Sequence, residues 1–254
     1  MSKASGSKNK GRIGKSKSNG SKKPIIIAGV VILIIVISVG ALLLTQKSTT
    51  LVSETTSESK PIILYVNQGN ALVDTSNYTT LLNFAKANGF NTIFFQVYRG
   101  GNLLFSESNL TFFVDTAHLE KLKIFFALYF TAPNQMIPTS IYGIGEDGIN
   151  LDMSTLTYDA QSNLLATLQQ NYKGQTAVTT TNFTTSLRPD LLILETYQIQ
   201  NSSKDIYIHS GIIASVEPLS MSSKEAYLSQ FQYDLSNSDG VMVFDYYGIL
   251  RTGY

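Results

Sequence analysis

Four acidic residues each stand at the end of a short apolar run, and acids so placed can act together on a substrate. Asp152 follows GINL, Glu195 follows LLIL, Glu217 follows IIASV and Asp245 follows VMVF. Carboxylates beside aromatic rings suit glycosidic bond hydrolysis, in which one acid protonates the leaving oxygen and the other acts as nucleophile or activates water. Other polar groups end the neighbouring runs: Tyr65, Asn67 and Gln68, then Gln96, Tyr98 and Arg99, then Tyr129, Asn182, Tyr197, Tyr246 and Tyr247. Tyrosines can stack on sugar rings or hydrogen-bond their hydroxyls. The candidate catalytic acids are therefore Asp152, Glu195, Glu217 and Asp245. The candidate substrate-binding residues are Tyr65, Gln96, Tyr98, Arg99, Asn182, Tyr197 and Tyr246. The chain has no Trp to serve as a sugar platform, so its 14 Tyr and 13 Phe must supply both platforms and core.

A structural role competes for each candidate. Asp152 can cap the helix that follows its run. Glu195 lies within an apolar run, where an unpaired charge is costly, so it is either part of a site or locked to a base such as Arg99 or Arg188. Glu217, before Pro218, can be merely solvated, and Asp245, between Phe244 and Tyr246, can be structural. Arg99 is expected to pair with a carboxylate in the mouth of the fold, and His209 to sit in the core. Tyr98, Tyr246 and Tyr247 fit packing as well as they fit a sugar site. Other chemistries find little support. There is no Cys, the two His lie far apart, and no H-E-x-x-H spacing occurs, so a metal site is not expected. Gly100-Gly101 reads as a turn, and no G-x-S-x-G elbow is present. No cofactor is implied.

Eight apolar runs must position these residues: 61–66, 91–98, 123–130, 148–153, 176–181, 191–197, 206–214 and 241–247. Near-continuous apolar strands, buried on both faces, indicate a parallel sheet. Residues 76–88 and 222–237 read as helices from their Ser/Asn starts and periodicity, and 157–172 form a third amphipathic candidate. Eight strands alternating with helices predict an α/β fold, a small (β/α)8 TIM barrel in which chemistry gathers at the C-terminal strand ends. The connector after the fifth run is too short for a full helix, and the sequence stops soon after the eighth run, so the eighth helix is expected to be absent. An open doubly wound sheet is the alternative.

Two short motifs resemble glycoside-hydrolase barrels. DGINLDMS (147–154) is similar to the chitinase-type strand-four signature Asp-Gly-x-Asp-x-Asp-x-Glu, with Asn150 replacing an acid and Ser154 standing at the place of the catalytic Glu. GINLD ending at Asp152, then Asn182, then DLLILE ending at Glu195 resemble the endo-α-1,4-polygalactosaminidase family, also (β/α)8 barrels. That resemblance implies Asp152 and Glu195 as the two catalytic carboxylates. FNTIFFQVYRGGNLLF (90–105) also resembles the second strand of a broader group of glycosyl-hydrolase-like barrels.

The amino terminus sets a location. Residues 1–23 hold eight of the 19 basic residues and none of the 18 acids, so the remainder carries 11 basic residues against 18 acids, a balance of −7. Residues 24–46 lack charge and are almost wholly apolar, long enough to cross the ~30 Å hydrocarbon core as a helix. Lys and Arg stay on the cytoplasmic side, so the tail predicts a single span at the cell membrane, with residues 61–254 extracellular on a Ser/Thr-rich stalk, 47–60. A cleaved signal peptide fits less well, because the apolar run is long and its flank LLLTQKS is a poor cleavage site. The tail serves as a topology signal, and no nucleic-acid partner is needed. Sequons at Asn77, Asn109, Asn182 and Asn201 all fall outside the span. The combined expectation is a membrane-anchored glycoside-hydrolase-like protein acting on a cell-surface or environmental polysaccharide. The alternative is a non-catalytic carbohydrate-binding or structural surface protein on a degenerate barrel.

Overall fold

The structure is a computed structural model that describes residues 59–69, 73–181, 186–198 and 211–254. Eight strands run parallel: β1 (Ile62–Val66), β2 (Thr92–Arg99), β4 (Lys123–Tyr129), β5 (Gly148–Asp152), β6 (Gln175–Thr180), β7 (Leu191–Leu194), β8 (Ile213–Val216) and β9 (Val241–Phe244). The two-residue β3 (Asn102–Leu103) folds back antiparallel on β2. β1 pairs with β9 on one side and β2 on the other, so the parallel sheet closes into a barrel. Closure overturns the open-sheet alternative.

Side chains alternate across each strand, and here both faces are apolar. Ile63, Tyr65, Phe94, Phe125, Ala127, Ala177, Ile193, Ile213 and Met242 pack inside the barrel. Leu64, Ile93, Phe95, Ile124, Phe126, Ile149, Leu151, Val178, Val241 and Val243 face outward into a second core shared with the helices. This double burial explains why the strands read as continuous apolar runs. Gly148 opens β5 because the Phe125 ring fills its neighbourhood; a β-carbon there would overlap that ring and lie 2.7 Å from the Gln175 carbonyl.

Five α-helices surround the described barrel: α1 (Tyr78–Ala87), α2 (Glu107–Leu119), α3 (Tyr158–Asn171), α4 (Lys224–Asn237) and α5 (Tyr246–Thr252). The expected helices over 76–88, 157–172 and 222–237 correspond to α1, α3 and α4. α2 was not among the expectations, although Leu110, Phe113, Val114 and Ala117 have helical spacing and are its buried face. α5 corrects the expected absence of a final helix, since the eighth run stops at Phe244 and Asp245 caps a short helix. Of the expected seventh run, 206–210 lie outside the described residues, 211 and 212 form a turn, and the strand begins at Ile213.

Among the described residues no helix is long and apolar enough to cross a membrane. The expected tail, span and most of the stalk, residues 1–58, lie outside them, as do Asn182, Asn201 and His209.

Candidate active site

At the C-terminal end of the strands a pocket of about 190 Å³ is lined by Tyr65, Asn67, Gln96, Arg99, Tyr129, Asp152, Ser154, Thr155, Glu195, Tyr197 and Phe244. A larger cavity, about 410 Å³, opens at the other end of the barrel among Lys60, Lys121, Lys123 and Asp239. Barrel chemistry belongs to the C-terminal end, and the larger cavity holds one acid against three lysines, so it offers no acid pair.

Asp152 is the last residue of β5 and points inward, as does Asn150 two residues earlier. The Tyr65 hydroxyl donates to Asp152 Oδ2 at 2.8 Å, and Ser154 Oγ donates to Oδ1 at 3.3 Å. Burial pushes the Asp152 carboxyl up to about 6, against the pull of Tyr65, Ser154 and the Arg99 charge. Tyr65 is itself held far above its ordinary value, first by burial and then by the Asp152 charge, so it stays a proton-bearing donor. Asn150 Oδ1 accepts from Thr179 Oγ1 at 3.0 Å beneath the pocket.

Glu195 follows β7 and is 2 % exposed. The Tyr197 hydroxyl donates to its Oε1 at 3.0 Å, while Oε2 is buried without a hydrogen-bond partner. Burial first, and the Asp152 charge second, push Glu195 up to about 7, with Ser154 and Tyr197 opposing. The Tyr197 ring stacks on Phe244 with centroids 5.6 Å apart, and Phe244 also contacts the Tyr65 ring at 4.9 Å. One aromatic face thus holds both tyrosines that bond the two acids. Arg99 makes no ion pair with either acid among the described residues. The expected pairing of Arg99 with a carboxylate is therefore corrected. Its guanidinium reaches Asn67 Oδ1 at 3.4 Å and lies 5.5 Å from the Tyr129 ring centroid.

The structure brings Tyr65, Gln96, Arg99, Asp152, Glu195 and Tyr197 to this pocket and places the other described candidates elsewhere. The register of β2 shifts between Gln96 and Tyr98. This bulge turns Tyr98 into the outer core against Phe130, at 5.3 Å, and delivers Arg99 to the mouth. Asp245, past the end of β9, is absent from the pocket lining and accepts from Gly248 N at 2.8 Å as the cap of α5. Tyr246 enters the outer core against Phe84. Glu217 lies outside the pocket lining, accepts from Ser220 Oγ, and adds charge repulsion at Glu195.

Sequence reasoning missed four contributors. Ser154 and Thr155 line the pocket from the β5–α3 connection, and Phe244 forms its aromatic wall. Gln161, fully buried in α3, donates from Nε2 to the carbonyls of Met153 and Leu156, each at 3.0 Å, and its Oε1 accepts from Thr180 Oγ1 at 3.3 Å. It thereby clamps the turn that carries Ser154. The signal for Phe244 was present in the strict alternation of β9, where Met242 faces inward. Gln96 is also an anchor, since its Oε1 accepts from Gln68 N at 3.0 Å and holds the loop after β1.

No protein-family model and no curated protein sequence matches the chain. Solved structures do share its fold. A maltogenic α-amylase from Thermotoga neapolitana superposes with a TM-score of 0.50 at 12% identity, covering 74% of this chain and 67% of that one. A GH113 β-1,4-mannanase superposes with a TM-score of 0.51 at 10% identity, covering 74% of this chain and 88% of that one. The chain shares with both the closed eight-stranded parallel barrel ringed by helices, a TIM-barrel fold. At these identities the likeness establishes fold alone.

Proposed function

We propose that this protein is a membrane-anchored, outward-facing glycoside hydrolase that acts on a cell-surface or environmental polysaccharide. The observation that carries the reading is the pair Asp152 and Glu195. Both are buried acids in one pocket at the C-terminal barrel end, and both hold protons more tightly than ordinary carboxyls. Glu195, whose proton affinity is raised first by burial and then by the Asp152 charge, suits the general acid that protonates the glycosidic oxygen. Asp152 receives two hydroxyl hydrogen bonds and the field of Arg99, which favour its ionised form, so it suits the negative charge that meets the developing oxocarbenium ion or activates water. Tyr197 and Phe244 offer the aromatic wall against which a sugar ring can lie. The basic tail and the apolar segment 24–46 support the anchoring and orientation.

The test uses residues 58–254, which form one compact unit. They are incubated with a polysaccharide panel that includes galactosaminan and chitin, beside Asp152→Asn and Glu195→Gln. Product released by the wild type and by neither variant is the expected result. Ser154, at the place of a catalytic Glu in the chitinase-like motif, favours a second reading, a carbohydrate-binding barrel without turnover. Binding retained in all three proteins with no product would select it and retire the hydrolase.

A further inference from the structure

Arg99 is the cation of the pocket, and little of its hydrogen-bonding capacity is used. The guanidinium has five N–H donors in a planar fork. One reaches Asn67 Oδ1 at a long 3.4 Å, an oxygen already taken by Gly69 N at 2.8 Å. No carboxylate forms an ion pair with it among the described residues, although Asp152 and Glu195 line the same pocket. The side chain is nevertheless held in place. The β2 bulge aims it at the mouth, the Tyr129 ring lies beneath it, and Gly69 leaves the room it occupies, since a β-carbon there would overlap the guanidinium. The residue is exposed at the rim of the pocket it lines, so the donors not used on Asn67 are accessible there to a ligand.

We infer that the sugar taken by this pocket carries a carboxylate, as a uronic acid does, and that Arg99 receives it. A planar carboxylate matches the guanidinium fork in a two-point hydrogen bond. The pocket volume of about 190 Å³ suits one pyranose ring with a compact substituent. With Glu195 protonated, the Asp152 charge is balanced by Arg99, so a carboxylate at the guanidinium does not enter a strongly negative pocket. Glu217 contributes its charge from outside the pocket lining. A polymer of positively charged amino sugars, by contrast, would meet Arg99 as a like charge.

The inference rests on this pocket being the glycan site, but not on hydrolysis, and the experiment separates the two. Binding of short oligouronates (galacturonate, glucuronate-containing and mannuronate trimers) is measured by calorimetry on full-length Glu195→Gln protein. Each is set beside its methyl ester, which keeps the sugar and linkage and removes the charge. The expected result is that at least one acid form binds about tenfold or more tightly than its ester, as a charge-assisted hydrogen bond implies. The gap should close in Arg99→Gln, narrow in Arg99→Lys, which keeps the charge without the fork, and shrink with added salt. Thermal melts of both variants check that they fold. Equal affinity for acid and ester, a preference unchanged by Arg99→Gln, or no binding of any acid form would overturn the inference. Acid-selective binding without cleavage by wild type would leave it standing and remove only the hydrolase.

Discussion

Replacing Glu195 by Gln removes a buried acid that binds its proton more tightly in the folded protein than in the unfolded chain. Its value rises from 4.5 to about 7 on folding, chiefly through burial. Below the lower value both states are protonated and the group does not discriminate between them. Between the two values the unfolded chain releases the proton while the folded protein retains it, so stability falls as pH rises through this window and levels off above it. At 1.36 kcal/mol per tenfold change in proton affinity, the full loss is ~3 kcal/mol. The assay is urea denaturation of wild type and Glu195→Gln at about pH 4 and about pH 8, compared as a double difference so that titrating groups that do not interact with Glu195 cancel. Wild type should lose ~3 kcal/mol more than the variant over that interval. Asp152 is coupled to Glu195, so the double difference reports the pair's shared titration. A double difference near zero, or greater loss in the variant, would show that Glu195 ionises as an ordinary carboxylate. The argument for a general acid would then fall.

Three further outcomes follow from particular contacts. Tyr65→Phe removes the 2.8 Å hydrogen bond to Asp152. It should cost ~1.5–3 kcal/mol of ionised-state stabilisation and move the acid limb of the pH–activity profile to higher pH. Gly148→Ala should destabilise by roughly 1–3 kcal/mol or more in urea melts, because the added methyl meets the Phe125 ring and the Gln175 carbonyl. Asp245→Ala should lower stability by roughly 0.5–2 kcal/mol through loss of the α5 cap while leaving the pH profile of activity unmoved. A shifted profile would return Asp245 to the site.

The architecture was legible in the sequence because burial on both faces of a parallel strand writes a continuous apolar run. All eight runs coincide with or overlap barrel strands, and three of the five helices lie where periodicity and caps put them. α2 was hidden beside the apolar Phe112 and Phe113 and the neighbouring run of β4, although its buried face has helical spacing. Within the site, Asp152 and Glu195 could be picked out as acids ending such runs. Residue order alone could not say whether the acid or its neighbour faces inward, because one residue of register reverses every side chain. At β9 the inward place fell to Phe244, while Asp245, beyond the strand, caps a helix; at β2 a single bulge sent Tyr98 outward and Arg99 to the mouth. Closure of β1 against both β9 and β2 is likewise a long-range event that no local pattern encodes. So too is the reach of Gln161 from α3 to the turn beneath Ser154. By itself the sequence determined the strands and the acids at their ends. The tertiary structure decided which of those acids share a pocket, because that depends on register and closure across distant segments.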